Sequence, residues 1–556
     1  MPEGSPTPWS YFLIRLLFKF VLKIFYGTIV VENAHLIPKR GEPCIVSANH
    51  SNSLTDALIL VASIPWKSRN LLRLTAKSTQ FGKKTFTSWL IESAGTVPLQ
   101  RRKDYPDGRV DNSQVMKYLI EALELGDAVC LFPEGMSRYH PTIAPLKTGV
   151  ARLVSDVLSR NRDKPDFEIS VVTCSITYMH RQHFRSDVLV TFHAPMKFTP
   201  RTNPELLSPV DYSNIRSLTA KMHQQISAGT LDAPSWRLVR NAKLAAKIYA
   251  PVGTEMSLGD YVRLVRTFLD AFKVAESSVN GGSGGNTSAP QQILSGSDGE
   301  AQIREGDGAS RERREEEDKK IVRLSDDLKD YQDQLSRLGI KDDRIRKPLP
   351  RIIMLYRLIV RLIWAMTLFT ISLPGLLLWI PIFITTFIAV RKFKRTGPIW
   401  DTFDEIAQYK LVYGLISGLC VWFSITLLTL PFAIFTFFGI PVLMWMSLRW
   451  MEDSVSAFRA FVSLWRLLWV GKKRLVEMQK VRKDLYGRVR ELAVETLGLP
   501  EDPEKHFVEA GHGKEKGRVR GRWAFGAKYF SVRRRRKRDW NETLRLYDKV
   551  DYPEDY

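Results

Sequence analysis

Between residues 40 and 200 the chain alternates short apolar runs with longer segments of helical periodicity. Short apolar runs between turn-forming residues are typical of buried strands, and apolar positions three and four apart are typical of helices. Strand candidates are Cys44–Ser47, Leu71–Thr75, Ala128–Phe132, Ile169–Cys174 and Val188–Phe192, and helix candidates are Asp56–Ser63, Phe86–Ser93, Ser113–Leu125 and Leu146–Ser159. The alternation predicts an α/β domain over 36–275, with a mostly parallel central sheet flanked by helices.

An apolar segment, Trp9–Val31, precedes this domain. Arg15, Lys19 and Lys23 recur at every fourth position, so they share one face of a predicted helix. Three charges argue against a membrane-spanning helix and favour an amphipathic helix that lies in the membrane plane, which we assign to 1–35. The same pattern is equally consistent with an amphipathic helix packed on the soluble domain.

Two long runs in the second half of the chain contain no charged side chain, Leu362–Val390 and Leu411–Leu448. Each exceeds the roughly 20 residues that one membrane-spanning helix needs. Each is interrupted by two prolines, Pro374 and Pro381 in the first and Pro431 and Pro441 in the second. We therefore predict two hydrophobic hairpins within 351–450, formed by full spans or by shorter re-entrant helices.

The remaining segments are polar. Glycine, serine and a charged run predict a disordered linker over 276–320, and a charged helix follows over 321–350. Basic helices and a tail are predicted over 451–556, where the cluster Arg533–Arg538 suits anionic lipid headgroups.

Charge and cysteine content narrow the class of protein. With 82 lysine and arginine residues against 59 acidic residues, the net charge is +23. Such an excess indicates a negatively charged partner, which is a nucleic acid, an anionic membrane or a phosphorylated substrate. The four cysteines are far apart in apolar contexts, which predicts buried thiols and a domain on the reducing side of the membrane.

The first candidate site lies where the strand Cys44–Ser47 meets the following helix. His50 and Asp56 flank this junction, and a histidine oriented by a carboxylate can act as a general base. Six positions along a continuous helix turn through about 600°, which does not place both side chains on one face. The pairing therefore requires an irregular turn around residues 50–55.

Further candidates follow later strands of the predicted sheet. Arg101 and Arg102 come after a glycine and a proline, in a loop that can present forked donors to a phosphate. The motif Phe132-Pro-Glu-Gly follows the strand Ala128–Phe132, at the end where open α/β sheets bind ligands. Within and after this motif, Glu134 and Ser137 can hold hydroxyls, and Lys147 can neutralise a phosphate. Surface charge and a tight turn are the alternative explanations.

Together these motifs resemble the glycerolipid acyltransferase family. His50…Asp56, Gly95…Arg101 and Phe132-Pro-Glu-Gly are similar to its first three sequence blocks, in the same order. Five residues stand between His50 and Asp56 where the common pattern has four. That spacing, and the hydrophobic region far downstream, resemble the fungal type of membrane-bound glycerol-3-phosphate and dihydroxyacetone-phosphate acyltransferases.

The resemblance implies transfer of an acyl group from long-chain acyl-coenzyme A to the sn-1 hydroxyl of glycerol 3-phosphate or dihydroxyacetone phosphate, giving lysophosphatidic acid from the former. His50 would be the base and Asp56 its orienting partner. Arg101, with Lys147 and Arg102, would bind the phosphate, and Glu134, Gly135 and Ser137 would shape the acceptor pocket. No cofactor, metal or nucleic acid is implied, since acyl-coenzyme A is itself a substrate.

Three alternatives stay open: a lysophospholipid acyltransferase, a hydrolase or metal site built from His50, Asp56, Glu134 and His140, and a non-enzymatic membrane-shaping scaffold. The resemblance also implies the endoplasmic reticulum membrane. Asn49-His-Ser is formally a glycosylation acceptor at the proposed site, so the catalytic domain is expected to face the cytosol. Oligomeric state is open.

Overall fold

The computed structural model describes residues 4–101, 104, 110–138, 140–181, 186–250, 254, 256–281, 307–340, 342, 345, 350–396 and 405–509. Eight strands form one sheet in the order β1-β7-β6-β2-β5-β3-β4, with β8 also paired to β6. Their bounds are Thr28–Glu32 (β1), Cys44–Ala48 (β2), Leu72–Lys77 (β3), Val97–Leu99 (β4), Ala128–Leu131 (β5), Ile169–Tyr178 (β6), Asp187–Phe192 (β7) and Met196–Phe198 (β8). Among these described strands, β6 pairs antiparallel with β7 and with β8, and the other pairings are parallel.

The predicted class, a mostly parallel sheet flanked by helices, is confirmed. The helices are Trp9–Phe25 (α1), Leu54–Ser63 (α2), Phe86–Ser93 (α3), Ser113–Glu124 (α4), Gly149–Arg160 (α5), Tyr212–Ala228 (α6), Trp236–Tyr249 (α7), Leu258–Gly281 (α8), Asp307–Leu338 (α9), Arg351–Thr396 (α10), Ile406–Leu428 (α11), Ala433–Val470 (α12), Lys472–Glu491 (α13) and Pro503–Glu509 (α14). Alternation along β2 divides the core, because Val46 packs with α1 and α2 whereas Ile45 packs with α4, α5 and α6.

The amphipathic helix α1 packs on the sheet through a face that includes Phe18 and Leu22. Arg15, which we expected on the polar face, is buried and donates to the carbonyls of Arg69 and of Ile64, the residue that follows α2. A second face is apolar and exposed, with Leu16 58% accessible. The predicted packing of an amphipathic helix on the domain therefore holds for one face of α1. The other face is apolar and exposed, as a helix lying in the membrane plane requires.

The apolar region forms one hairpin and one long helix. The first predicted hairpin is wrong, because α10 runs unbroken through Pro374 and Pro381. A proline inside a helix removes one backbone hydrogen bond, which long apolar helices tolerate. The second hairpin turns between α11 and α12 at a short 3-10 helix that contains Pro431. Within the described residues, α10, α11 and α12 are long and apolar enough to cross a membrane.

The boundaries predicted around the α/β domain differ from those of the structure. The chain forms two compact units, one from residues up to Asp232 with Ile359–Arg459, the other from the described parts of Ala233–Leu358 and Ala460–Gly513. The sheet thus begins before residue 36, since the β-branched Thr28–Glu32 pairs with β7. Helices α7 and α8, predicted within the α/β domain, belong to the second unit.

The second unit contains α7, α8, α9 and α13. Helix α9 buries Leu324, Leu328 and Leu335 at helical spacing, and Asp342 forms a bidentate ion pair with Arg482. Helices α8 and α9 extend into both ends of the predicted linker, because the run before residue 320 is rich in helix-forming arginine, glutamate and lysine. Residues 282–306 and the tail from residue 510 lie outside the described residues, with the predicted Arg533–Arg538 cluster.

Candidate active site

The candidate side chains gather at one edge of the sheet. Strands β2, β3, β4, β5 and β6 are mutually parallel along the sheet, so their carboxyl ends lie together. His50 follows β2, Lys77 ends β3, Arg101 follows β4, Glu134 follows β5 and Tyr178 ends β6. This is the edge at which parallel α/β sheets bind ligands.

His50 and Asp56 are in hydrogen-bonding contact, with Nδ1 of the imidazole 2.9 Å from Oδ2 of the carboxylate. The same oxygen accepts the backbone amides of Ser51 (2.8 Å) and Asn52 (2.7 Å), so the chain wraps around a buried carboxylate. Ser53 has φ 47°, an uncommon conformation for a residue with a side chain. The irregular turn that the spacing requires is therefore present, immediately before α2 begins.

Tyr178 holds the other oxygen of Asp56, donating its hydroxyl to Oδ1. Burial, followed by the negative charge of Asp56, raises the pKa of Tyr178 well above its usual value, so it remains a neutral donor. The residue ends β6, and the sequence alone did not assign it a role. With three backbone or side-chain donors besides the imidazole, Asp56 is fixed as the orienting group of His50.

Glu134 supports the same turn from the other side. Its carboxylate accepts the amide of His50 (2.6 Å) on one oxygen and that of Ala144 (3.1 Å) on the other. Burial raises the pKa of Glu134, and its two amide donors lower it. Phe132 stacks on the imidazole, with ring centroids 4.1 Å apart and planes inclined by 19°. These contacts fix the backbone and the ring plane of His50.

Gly135 and Lys147 are neighbours beside this turn. Gly135 has φ 72°, which favours glycine, and a Cβ at this position would lie 2.4 Å from Nζ of Lys147. The backbone amide of Lys147 donates to the carbonyl of Pro133 (2.8 Å), which closes the loop after β5. Ser137 accepts the amide of Ser53 (3.0 Å), so this loop also contacts the irregular turn.

A cavity of about 240 Å³ opens at His50. Nδ1 of His50 is engaged by Asp56, which leaves Nε2 as the nitrogen that can serve a substrate. Two cationic side chains, Lys77 and Arg101, line the cavity together with apolar groups such as Leu54 and Ala57. The cavity thus combines a base, cations suited to an anionic group and an apolar wall.

Of the two candidate arginines, Arg101 lies within the described residues and Arg102 does not. Arg101 lines the cavity and forms a bidentate ion pair with Asp104, with Nε–Oδ2 at 2.8 Å and Nη2–Oδ1 at 2.9 Å. Asp104 therefore aligns the guanidinium at the cavity rim. Arg102 lies outside the described residues. Lys77 was missed by the sequence interpretation, although a lysine at the carboxyl end of a predicted strand is a usable signal.

Gln408 and Glu405, at the start of α11, also line the cavity. Helix α11 packs against α2, where Ala407, Leu411 and Leu415 belong to the same hydrophobic cluster as Ala57. An apolar helix from the distant half of the chain therefore completes the cavity wall. Local sequence patterns contain no signal for this contact, because nothing in the apolar run of α11 indicates which distant helix it meets.

Across the described residues, no group of three or more His, Cys, Asp or Glu side chains is placed to hold a metal ion. His140, which the alternative metal site would use, is exposed and contacts Thr142 through Nδ1 (3.3 Å).

Comparison with known proteins agrees with this architecture. Residues 28–177 match the family model described as acyltransferase, and residues 312–501 match that of the glycerol-3-phosphate acyltransferase 2 C-terminal domain. The second match contains all three apolar helices, so the region beyond the sheet is also characteristic of such proteins.

Three curated proteins are similar over much of the chain. An uncharacterized acyltransferase of Schizosaccharomyces pombe is 24% identical over 515 residues, covering 84% of this chain and 68% of that protein. Glycerol-3-phosphate O-acyltransferase 2 of Saccharomyces cerevisiae is 24% identical over 406 residues, covering 68% and 49%. Glycerol-3-phosphate O-acyltransferase 1 of the same yeast is 20% identical over 315 residues, covering 55% and 36%.

The chain thus spans about half and about a third of the length of the two Saccharomyces proteins. The matches confirm the predicted resemblance to the glycerolipid acyltransferases, and to the fungal type of glycerol-3-phosphate acyltransferase within them.

Proposed function

We propose that this protein, which resembles the fungal glycerol-3-phosphate acyltransferases, transfers a long-chain acyl group from acyl-coenzyme A to the sn-1 hydroxyl of glycerol 3-phosphate, with dihydroxyacetone phosphate as a possible second acceptor. The observation that carries the proposal is the single cavity lined by the oriented His50 and by cationic Lys77 and Arg101. An acceptor that bears both a hydroxyl and a phosphate suits a cavity that holds a base and cations.

In the proposed reaction His50 acts as a general base through Nε2. It takes the proton of the acceptor hydroxyl as that oxygen attacks the thioester carbonyl, forming the ester C–O bond. The C–S bond then breaks, and the imidazolium returns the proton to the departing coenzyme A thiolate. Asp56 keeps the proton on Nδ1 and stabilises the imidazolium. The products are lysophosphatidic acid and free coenzyme A, and the reaction needs no cofactor.

The phosphate end of the cavity would be formed by Arg101 and Lys77. Both side chains follow neighbouring parallel strands, since Lys77 pairs in register with Leu99 of β4. Arg101 offers a planar fork that Asp104 holds in place, and Lys77 adds a point charge. Lys147 and Arg102 remain secondary candidates for the same group, and Gly135 and Ser137 also line the cavity.

The membrane supports the acyl chain in this proposal. The cavity wall formed by Leu54 and Ala57 lies against α11, an apolar helix that can cross a membrane. We further propose that the protein resides in the endoplasmic reticulum membrane with the sheet on the cytosolic side. Asn49 is buried and its amide bonds both the amide and the carbonyl of Ile176, which is incompatible with a glycan on that side chain.

The proposal is tested with the full chain in lipid nanodiscs, by measuring thiol release from oleoyl-coenzyme A. We expect release that depends on added glycerol 3-phosphate and is not supported by glycerol, which lacks the phosphate. Parallel reactions with dihydroxyacetone phosphate and 1-acylglycerol 3-phosphate compare the acceptors. Thiol release with 1-acylglycerol 3-phosphate alone would assign the second acylation step instead, and no release with any acceptor would favour a scaffold.

Replacing the base separates mechanism from binding. His50→Ala should lower kcat by about 10²–10⁴-fold, the usual contribution of a positioned general base. His140→Ala is the matched control, because His140 is an exposed histidine outside the cavity wall. Activity of His50→Ala equal to that of His140→Ala would overturn the mechanism.

A further inference from the structure

We propose that Gln408 is a positioning residue for the catalytic base: from α11 it caps the amino end of α2 and thereby fixes Asp56 against His50. The kinetic part of this inference rests on the proposed function, whereas the capping contact does not. Gln408 lies 355 positions after Ser53 in the chain, yet their side chains are hydrogen-bonded.

The first turn of α2 lacks its usual cap. Ser53 is the N-cap residue, and a serine there normally accepts an amide of the first turn with its own hydroxyl. Here that bond is absent, and the Ser53 hydroxyl donates to Oε1 of Gln408 (3.0 Å). The same oxygen accepts the amide of Leu54 (3.4 Å), one of the orphan donors of the helix end. An acceptor from another helix therefore takes the place of the missing cap.

The unusual backbone of Ser53 makes this cap consequential. Ser53 adopts φ 47° and ψ −135°, which a residue with a side chain keeps only when its surroundings hold it there. Two contacts do so: its hydroxyl reaches Gln408, and its amide donates to Ser137 (3.0 Å). Removing the contact with Gln408 takes away one of these two side-chain contacts of the strained residue.

Asp56 is the third residue of α2, and its amide donates to the carbonyl of Ser53 (3.1 Å). A change at Ser53 therefore moves the first turn of α2 and with it the carboxylate that orients His50. Gln408 itself is well placed, because Leu411 one turn later is buried in the cluster that α2 helps to form. The apolar helix α11 thus sets the geometry of the base.

The test compares two replacements of Gln408 in nanodiscs. Gln408→Met keeps the unbranched shape and removes the acceptor oxygen, whereas Gln408→Glu keeps an acceptor and adds a charge that a helix amino end favours. We expect Gln408→Met to lower kcat by about five- to thirtyfold, which corresponds to N-cap losses of about 1–2 kcal/mol, with the KM of both substrates within about twofold. Gln408→Glu should keep kcat within about threefold of wild type.

The control is Ser417→Ala, also on α11, because among the described residues the Ser417 hydroxyl bonds within its own helix, to the carbonyl of Tyr413 (2.6 Å) and that of Gly414 (3.4 Å). It should leave kcat unchanged. Ser53→Ala removes one of the two hydrogen bonds that Oε1 of Gln408 accepts, so it should lower kcat by no more than Gln408→Met does, and the double variant should be no worse than Gln408→Met alone. Additive losses, or a Gln408→Met kcat within twofold of wild type, would overturn the inference.

Hydrogen exchange supplies a readout without substrate. In the capped helix the Leu54 amide is protected by Gln408, so exchange in the peptide that contains Leu54 should accelerate in Gln408→Met and not in Ser417→Ala. If wild type shows no acyl transfer but the exchange result holds, the proposed function fails and the cap stands. If wild type is active and exchange is unchanged in Gln408→Met, the cap is refuted while the function survives.

Discussion

Replacement of Glu134 by glutamine tests whether this carboxylate supports the catalytic turn or binds the acceptor. The structure shows both oxygens occupied by backbone amides, those of His50 (2.6 Å) and Ala144 (3.1 Å). Glutamine retains one acceptor oxygen and turns an NH₂ group toward the second amide, so one buried bond to a charged acceptor is lost. Such a bond contributes about 1.5–3 kcal/mol. If the loss appears in the transition state, kcat falls by about ten- to hundredfold.

The assay is steady-state acyl transfer in nanodiscs, with kcat and the KM of each substrate determined separately. It is run at mildly alkaline pH, because burial raises the pKa of Glu134 and the carboxylate must be ionised for the comparison. Glu92→Gln is the control, since Glu92 accepts the Gly82 amide (2.7 Å) on the protein surface. A support role predicts a lower kcat with unchanged KM. A tenfold higher KM for glycerol 3-phosphate at unchanged kcat would refute it and restore Glu134 as an acceptor ligand.

Two further predictions concern the orienting carboxylate and the exposed face of α1. Tyr178→Phe removes the hydroxyl that donates to buried Asp56, so it should lower kcat about tenfold without raising either KM in steady-state assays. A kcat equal to that of wild type would contradict this role. In a Cys420→Ser background, a fluorophore is attached to Leu16→Cys or, as a control, to Lys117→Cys at an exposed position of α4. Brominated lipids in the nanodisc should quench the fluorescence of the label at position 16 and not that of the label at position 117. Equal quenching at both positions would contradict the prediction that α1 lies at the lipid surface.

Local patterns predicted those parts of the fold that depend on local physics. Strands such as Cys44–Ala48 and helices such as Phe86–Ser93 appear within a few residues of their predicted bounds, because apolar periodicity decides them. Even the irregular turn before Asp56 followed from helical geometry alone. The first hairpin failed for the opposite reason: Pro374-Gly375 and Pro381 favour a turn locally, but the helix continues through all three residues.

Local sequence patterns could not predict which distant residues contact the side chains of the site. Glu134 was recognised as important, but the amides that occupy it belong to residues 84 positions earlier and 10 positions later. Gln408 is a polar residue at the start of an apolar run, and nothing nearby in the sequence connects it with Ser53. Asp104 is the exception, since an acidic residue three positions after Arg101 could have been proposed as its partner.

The contact between α11 and α2 has a consequence for biosynthesis. A ribosome completes the sheet long before it makes Gln408, which follows Ser53 by 355 residues. Until the later helices emerge, the apolar surface around Ala57, which shares a hydrophobic cluster with Leu411, is uncovered. The nascent domain therefore exposes an aggregation-prone hydrophobic surface during much of translation. The site around His50 would therefore be complete only after α11 has packed against α2. Because α11 is an apolar helix, activity would begin only once the chain has reached a membrane.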